Sequence, residues 1–332
     1  MNYIGQRMLK LSDHKSLLVK FQSLLALLLM VAIFSFCAEG FFSTDNFWLV
    51  LTQVSVNMCL SVGMTLVILT GGIDLSVGSV LALSGAVMAG LLKNGLELPA
   101  FNLFIGLTAL GAIFTGLLVG SFLGFFNGLM IALLRIPPFV ATLAMMTIAR
   151  GLTQLWTGGA AITGLGDVLR YVGTERFAGV PVLVWTCAAI VAIAMIVLRK
   201  TRFGRYIYAV GGNERAARLS GLNVKRIKLR VYTIAGALSA VGGLIVTSKL
   251  DSATPIAGDG YELDSIAAVV IGGTSLSGGR GSVLGTVLGV LIIGVLNSGL
   301  IILSVPPFWQ KVIKGCVILL AVAMDKLNTK EQ

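Results

Sequence analysis

Long apolar runs, separated by short polar segments, make up most of this chain. A helix needs about 20 apolar residues to cross a hydrocarbon core about 30 Å thick. Strands of a membrane barrel alternate in polarity over about ten residues, which these runs do not. The pattern therefore predicts an all-α, polytopic transmembrane helical bundle of about ten spans. The predicted spans lie near Phe21–Ala38, Phe47–Thr70, Ser76–Leu92, Phe101–Leu133, Pro138–Trp156, Pro181–Leu198, Val231–Ser248, Leu263–Leu276, Ser282–Leu303 and Phe308–Met324.

Basic residues cluster in the segments that this arrangement of spans places on one side of the membrane. Ten lysines and arginines occur in the interval 199–230, with Glu214 as its single acid. Because cytoplasmic loops retain Lys and Arg during insertion, we predict that both termini are cytoplasmic, as an even number of spans allows. The expected organisation is a cytoplasmic segment at 1–20, a transmembrane region at 21–325 that includes the cytoplasmic loop 199–230, and a cytoplasmic tail at 326–332.

Two glycine-rich segments of similar sequence follow apolar runs in the two halves of the chain. The first reads GGIDLSVG and the second GGTSLSGG. Their parallel orientation predicts two pseudo-repeated halves, related by an axis along the membrane normal. The residues of this repeated motif are Gly71, Gly72, Asp74, Ser76 and Gly78 in the first copy, and Gly272, Gly273, Ser277 and Gly279 in the second.

The residues of the motif suggest how each copy turns the chain. The paired glycines can adopt backbone angles that are closed to other residues, and Ser76 or Ser277 can cap the N–H groups of the helix that follows. Asp74 has two interpretations. A substrate or proton site would explain a carboxylate in a membrane-embedded region, and an N-terminal cap is favoured by its position at a helix start.

Glycines also recur every four residues in two of the predicted spans. Positions four apart share one helix face, and small residues there allow a second helix to approach closely. A pore or dimer contact and ordinary packing within the chain both explain such a stripe, and ordinary packing is the favoured interpretation. The residues are Gly116, Gly120, Gly124 and Gly128 in the fourth span, and Gly281, Gly285 and Gly289 in the ninth.

The basic interval 199–230 contains signals for a short helix. Asn213 is a plausible N-cap, Glu214 suits the first turn, and Gly221 marks a C-terminal stop. Such a helix would present Leu219 to a groove of a partner protein. A loop that faces lipid head groups explains the same charges, and the residues alone leave the two interpretations equal.

The composition excludes several classes of function. With 56% apolar and 12% charged residues, the chain is not a soluble domain. Four widely spaced cysteines and the single histidine His14 provide neither a metal site nor a Cys/His nucleophile pair, and no GxxxxGK[ST] phosphate loop is present. We therefore expect no enzymatic activity and no cofactor bound by this chain. The net charge of +11 follows mostly from topology, so no nucleic-acid partner is expected.

Polar side chains within the apolar spans are candidates for lining a solute path. Interhelical hydrogen bonding is an equally good explanation for each of them. The candidates are Asn57, Thr65, Asn127, Gln154 and Asn297.

Three ordered segments carry a family resemblance. They are VGMTLVILTGGIDLSVGSVLALSG, YAVGGNERAARLSGLNVKRIK and YELDSIAAVVIGGTSLSGGRGSVLGT. Together they resemble the transmembrane permease subunits of bacterial ATP-binding-cassette importers for monosaccharides, over roughly residues 42–325. The resemblance is strongest to permeases for ribose. Permeases for xylose, allose, galactosides, fructose and autoinducer sugars share much of the pattern, so another sugar remains an alternative.

The resemblance implies a multi-pass protein of the bacterial inner membrane that moves a monosaccharide, ribose in the first instance, into the cytoplasm by alternating access. It implies three partners: a cytoplasmic ATPase subunit that binds ATP and Mg²⁺, a periplasmic sugar-binding protein, and a second permease copy, most simply in a homodimer. It also implies that one segment is the coupling helix that fits a cleft of the ATPase. Its residues are Gly211, Gly212, Asn213, Glu214, Ala217, Arg218, Leu219, Ser220 and Gly221.

Two other classes of function remain alternatives. A secondary transporter driven by an ion gradient should carry buried carboxylates or histidines within its spans, and the predicted spans show none apart from Asp74. A membrane scaffold would bind a cytoplasmic partner through the basic loop without transporting a solute.

Overall fold

The computed structural model of the chain describes residues 22–98 and 103–330. The predicted N-terminal segment 1–20, with His14, lies outside the described residues. The helices are α1 (Gln22–Cys37), α2 (Thr44–Leu69), α3 (Val77–Asn94), α4 (Ala109–Ala132), α5 (Pro138–Thr157), α6 (Asp167–Thr174), α7 (Val182–Lys200), α8 (Arg202–Gly212), α9 (Glu214–Leu219), α10 (Val224–Leu250), α11 (Tyr261–Ile271), α12 (Val283–Ile302) and α13 (Pro307–Lys330). Three short antiparallel pairs join β1 (Leu96–Leu98) to β2 (Leu103–Ile105), β3 (Ile162–Thr163) to β6 (Ser252–Ala253), and β4 (Arg176–Phe177) to β5 (Val180–Pro181).

The prediction of a helical membrane bundle is confirmed. Within the described residues, six helices are long and apolar enough to cross a membrane by length and composition: α2, α3, α4, α7, α10 and α12. The other predicted spans coincide with α1, α5, α11 and α13. The fourth run is shorter than predicted, because Thr108 caps α4 by accepting a hydrogen bond from the Gly111 N–H. Most of the predicted tail 326–332 is helical, since α13 continues to Lys330.

The predicted span Leu263–Leu276 corresponds to α11, which is only about half as long as a membrane-crossing helix. α11 has 11 residues and ends at Ile271, so it covers about 16 Å at 1.5 Å per residue. This length is about half of a hydrocarbon core. The apolar run stops at the helix end, where Gly272, Gly273, Thr274 and Ser275 follow, and the chain turns at Gly273, which has a φ of 83°.

α10 is the central helix of the bundle and packs against α2, α3 and α4. The glycine stripe of α4 makes the closest of these approaches possible. A methyl group at Gly120 or Gly124 would collide with the backbone of Gly236 in α10. In α12, Gly285 and Gly289 face the backbone of α11 in the same way. Both stripes therefore contact helices of the same chain.

Gly281 was predicted to share a helix face with Gly285 and Gly289, but it does not. It precedes the N-cap residue Ser282 and so lies outside α12. Its φ is 151°, and a side chain there would collide with Thr274. The four-residue spacing continues from α12 into a loop, and the shared helix face does not.

Two helices begin inside the bundle and meet there. α3 starts beside the middle of α10, since Leu81 in its second turn lies against Gly243. The start of α11 packs against the start of α3, where Gly78 lies against Gly258 and Glu262. The two N-termini therefore come together at glycine backbone, away from the bundle ends.

Arg150 of α5 holds the segment that leads into α11. Its Nη1 donates hydrogen bonds of 2.8 Å to the carbonyl oxygens of Pro255 and Ala257. Because these carbonyls lie outside regular structure, the guanidinium replaces partners that a helix would have supplied. This arginine lies within a predicted span, and its contacts explain why a charge is tolerated there.

Candidate functional site

The six-residue helix α9 forms as its sequence predicts. The Asn213 side chain accepts a hydrogen bond of 2.9 Å from the Ala216 N–H, and Glu214 opens the first turn. The chain leaves the helix through Ser220 and turns at Gly221, which has a φ of 82°. The predicted cap, first turn and stop are all confirmed.

The residues of α9 divide between an anchoring side and an exposed side. Ala217 is buried, with 5% of its surface accessible, whereas Leu219 is 82% exposed. Arg218 is also exposed. An apolar side chain displayed at the tip of a basic loop is suited to a partner protein, because exposure of leucine to water is unfavourable.

Two ion pairs connect α9 to itself and to α10. Glu214 Oε1 lies 2.8 Å from Arg218 Nη2, and Glu214 Oε2 lies 2.7 Å from Lys228 Nζ. The pKa of the Glu214 carboxyl lies below its ordinary value, chiefly because Lys228 donates a hydrogen bond to it, with Arg218 acting in the same direction. The pairs fix the orientation of α9 against the start of α10.

The two copies of the repeated motif meet against α8, the helix that precedes α9. The Gly279 N–H of the second copy donates a 3.0 Å hydrogen bond to the Leu69 carbonyl, which precedes the first copy. Gly211, at the end of α8, packs against the same carbonyl. Tyr208 of α8 donates a 2.9 Å hydrogen bond to the Gly281 carbonyl. A displacement of α8 and α9 would therefore reach both motif copies at once.

In each motif copy the chain turns at one glycine of the pair. The turn uses the first glycine in the first copy and the second glycine in the second copy. Gly71 (φ 77°) closes α2 and Gly273 (φ 83°) closes α11, each by donating to a carbonyl three residues earlier. Gly72 and Gly272, which were also expected to need unusual angles, do not have positive φ. The Gly72 position is small for another reason, since a methyl group there would collide with the Tyr232 hydroxyl.

The capping role predicted for Ser76 and Ser277 is wrong. Ser76 makes no side-chain cap to α3, because its hydroxyl donates to Asp74 Oδ1 at 2.6 Å. The same oxygen accepts the Ser76 N–H at 2.9 Å, and Asn127 Nδ2 donates to Ser76 Oγ at 2.9 Å. The cap of α12 is Ser282, which accepts from the Gly285 N–H. Asp74 thus organises a buried polar cluster at the start of α3.

A polar cavity of about 320 Å³ lies between α2, α10, α11, α12 and α13. Lys249 and Tyr261 line it together with several apolar side chains. The other polar side chains that line it are Gln53, Asn57, Asp264, Asn297, Gln310 and Lys314. Asp264 Oδ2 and Lys314 Nζ form an ion pair of 3.0 Å.

This ion pair corrects the sequence prediction that the spans hold no acid apart from Asp74. Asp264 is buried in the first turn of α11. Its partner Lys314, like Lys311, belongs to α13 and lies within the predicted span Phe308–Met324. The prediction failed because each residue sits near a predicted span end, where charges are ordinary.

The candidates for the solute path separate into three groups. Asn57 and Asn297 line the polar cavity. Gln154 lines a different hollow, of about 730 Å³, beside Pro255 and Ile256.

Thr65 and Asn127 line neither space. Thr65 is hydrogen-bonded to Thr286 at 2.6 Å, and Asn127 to Ser76. For these two residues, the contacts agree with interhelical hydrogen bonding, the alternative to lining a solute path.

The cavity residues missed from the sequence carry a recognisable signal. Gln53 and Asn57 lie four apart in α2, and Gln310 and Lys314 lie four apart in α13. Positions four apart share a helix face, so a polar pair at this spacing in an apolar helix indicates a polar stripe. Over the described ranges, no group of three or more His, Cys, Asp or Glu could hold a metal ion.

Comparison with known proteins gives consistent matches over nearly the whole chain. The family model described as "Branched-chain amino acid transport system / permease component" matches residues 46–322. The chain is 47% identical over 319 residues to the ribose import permease protein of Haemophilus influenzae, covering 95% of each chain. It is 48% identical over 304 residues to the ribose import permease protein of Bacillus subtilis, covering 91% of each.

A relative named for a different sugar matches less closely. The chain is 38% identical over 313 residues to the D-allose transport system permease protein of Escherichia coli, covering 94% of this chain and 93% of that protein. No solved structure matches the chain significantly.

Proposed function

Because this chain belongs to the family of permease components of transport systems, we propose that it is the membrane-spanning subunit of an ATP-driven importer that carries ribose into the cytoplasm. The observation that carries the proposal is the identity of 47–48% to two ribose import permeases over more than nine-tenths of each chain. The lower identity to the allose permease favours ribose over that sugar.

The chain is a multi-pass protein of the inner membrane. The proposal gives it ten crossings, with both termini cytoplasmic and two related halves. One crossing consists of the half-length helix α11 and the segment before it that Arg150 holds. Discontinuous helices of this kind are common near the centre of transporters.

The proposed assembly contains four kinds of contact. A cytoplasmic ATPase binds α9 through Leu219 and its neighbours, and ATP and Mg²⁺ bind to that ATPase and not to this chain. A periplasmic sugar-binding protein delivers the sugar at the opposite face. A second copy of the permease completes the pore, and lipid covers the apolar outer surface.

The contacts around α9 suggest how ATP is coupled to transport. When the ATPase subunits close on ATP, they move α9 and, through Gly211 and Tyr208, the loops at Leu69 and Gly281. The first loop connects α2 to α3, and the second connects α11 to α12. Packed helix interfaces have discrete arrangements, so a small displacement at α9 can switch which end of the pore is open.

Reconstitution tests the proposed function. The permease is placed in liposomes with its ATPase and sugar-binding protein, and uptake of radiolabelled ribose is measured with ATP and without it. ATP-dependent uptake supports the proposal. Uptake driven by a sodium or proton gradient in the absence of ATP would instead support a secondary transporter, for which the buried carboxylates Asp74 and Asp264 are structural arguments. Absence of any uptake, with the partners bound, would support a scaffold.

A further inference from the structure

The polar cavity between α2, α10, α11, α12 and α13 has the size and lining of a small-molecule site. Its volume of about 320 Å³ falls at the lower end of the range for ligand pockets, roughly 300–1,000 Å³. We propose that it is a weak binding site for a single monosaccharide within one permease protomer. The inference rests on the proposed function, because it assigns a place to the transported sugar.

The ion pair provides both kinds of hydrogen-bonding group that a polyol needs. The side chains of Asp264 and Lys314 are only 10% and 25% exposed. In the contacts described, each uses one atom in their mutual bond, which leaves one carboxylate oxygen and two ammonium donors. A buried ion pair is stable only when its remaining sites are also satisfied. Vicinal hydroxyl groups of a sugar can donate to the carboxylate and accept from the ammonium group.

Two asparagines add acceptors that have no partner among the residues that the structure describes. Asn57 Oδ1 and Asn297 Oδ1 are buried without a hydrogen bond, although both side chains are partly exposed where they line the cavity. A buried polar atom left unpaired is costly. Rotation of either amide about its terminal bond exchanges its oxygen and nitrogen, and a sugar hydroxyl can accept from the nitrogen or donate to the oxygen, whichever of the two faces the cavity.

The rest of the lining favours a neutral, hydroxylated ligand over an inorganic ion. Four neutral amides surround the charges, from Asn57, Asn297, Gln53 and Gln310. The Asp264 charge is balanced by Lys314, and Lys249 is the single charge in excess. The Tyr261 ring offers an apolar face of the kind that packs against the C–H face of a sugar. An ion site would instead concentrate charge of one sign.

Cysteine labelling tests the site directly. The exposed Cys37 and Cys316 are replaced by alanine, while the buried Cys59 and Cys187 remain. Asn297→Cys is then labelled with a hydrophilic maleimide in the complete reconstituted complex, with and without saturating ribose. We expect ribose to slow labelling several-fold.

Gln154→Cys, in the other hollow, is the matched control and should label at the same rate with and without ribose. Sodium chloride at equal osmolarity should protect neither position. Equal protection of both positions by ribose would indicate a global change of conformation, and protection of Asn297→Cys by salt would indicate an ion site. Either result would overturn the inference.

Ribose uptake by the same complex is measured first and separates the two proposals. If the complex imports ribose with ATP and Asn297→Cys is not protected, the site is wrong while the proposed function stands. The double variant Asp264→Asn with Lys314→Gln should raise the ribose concentration needed for half-protection several-fold. If the concentration for half-protection were unchanged in that variant, the ion pair would have no part in binding ribose.

Discussion

At the scale of single residues, two carboxylates have opposite kinds of role. Asp74 is buried and serves the chain's own backbone, whereas Glu214 is partly exposed and orients a surface helix. Asp74 lies in the motif that identifies the family resemblance, and its contacts explain why that motif needs an acceptor followed by a hydroxyl two residues later. The contacts make a substrate role for Asp74 unnecessary.

Asp74→Leu should destabilise the protein by about 1–3 kcal/mol, because the Ser76 N–H and hydroxyl lose their acceptor in a buried position. Asp74→Asn keeps an oxygen that can accept both bonds and is the control. The measurement is thermal stability of the detergent-solubilised permease by fluorescence-detected size exclusion. If Asn proved as damaging as Leu, the negative charge rather than the acceptor would be required.

The Glu214 ion pairs should weaken in acid. The pKa of Glu214 is lower in the folded chain than its ordinary value of 4.5, so its stabilisation is complete above about pH 4.5 and is lost as the pH falls below that value. The contribution of such exposed pairs is about 0.2–1 kcal/mol. Binding of the ATPase should therefore decline below pH 4.5 more steeply than in Glu214→Gln. Parallel declines would show that Glu214 has no part in docking.

At the scale of elements, α9 and α4 each offer a surface with a clear purpose. Under the proposed function, the exposed tip of α9 contacts the ATPase, whereas the glycine face of α4 packs against α10. Substitutions on α9 should therefore impair ATPase binding, whereas substitutions on the glycine face of α4 should impair folding.

Arg218→Glu combined with Leu219→Asp should abolish co-purification of the ATPase and leave membrane insertion intact. The reason is that a carboxylate at position 219 replaces the apolar contact, while charge reversal at 218 repels the partner. Leu219→Met preserves an apolar side chain and should retain binding. If the double variant co-purified with the ATPase as well as the unchanged protein does, α9 would not be part of the interface.

Gly124→Leu should prevent correct folding, because the side chain would collide with the α10 backbone at Tyr232 and Gly236. Overpacking of this kind costs at least about 1–3 kcal/mol. Gly151→Leu in α5 is the matched control, since a Cβ atom at that position has no neighbour within 4 Å. Yield of monodisperse protein is the measurement, and equal yields would contradict the packing argument.

Some elements could be predicted from the sequence, and the physical reasons are local. Asn213 and Gly221 define α9 by cap and turn chemistry that needs no distant residue. The end of α11 was predicted five residues too late, at Leu276, although Gly272 and Gly273 follow Ile271 directly. The conformation of the segment before α11 could not be predicted, because it is held by Arg150, more than one hundred residues earlier. Asn57 and Asn297 are visible as polar residues in apolar runs, whereas the pairing of Asp264 with Lys314 depends on the packing of α11 against α13.

At the scale of the whole molecule, orientation in the membrane is the property that most needs measurement. Thr174→Cys, at the end of α6, should react with an impermeant maleimide added to the periplasmic side. Asn223→Cys, at the start of α10, should react only from the cytoplasmic side. Both positions are exposed, so a lack of reaction reflects the membrane rather than burial. The reverse pattern would invert the topology.

The place where α3 and α11 begin has a consequence for the cell. Because the Gly258 carbonyl and the Glu262 carboxylate both pack against Gly78, the contact between the two helix starts is tight and leaves little room for a file of water. We expect such a seam to insulate the membrane electrically between turnovers, so that the protonmotive force is not drained while the importer waits for its next sugar.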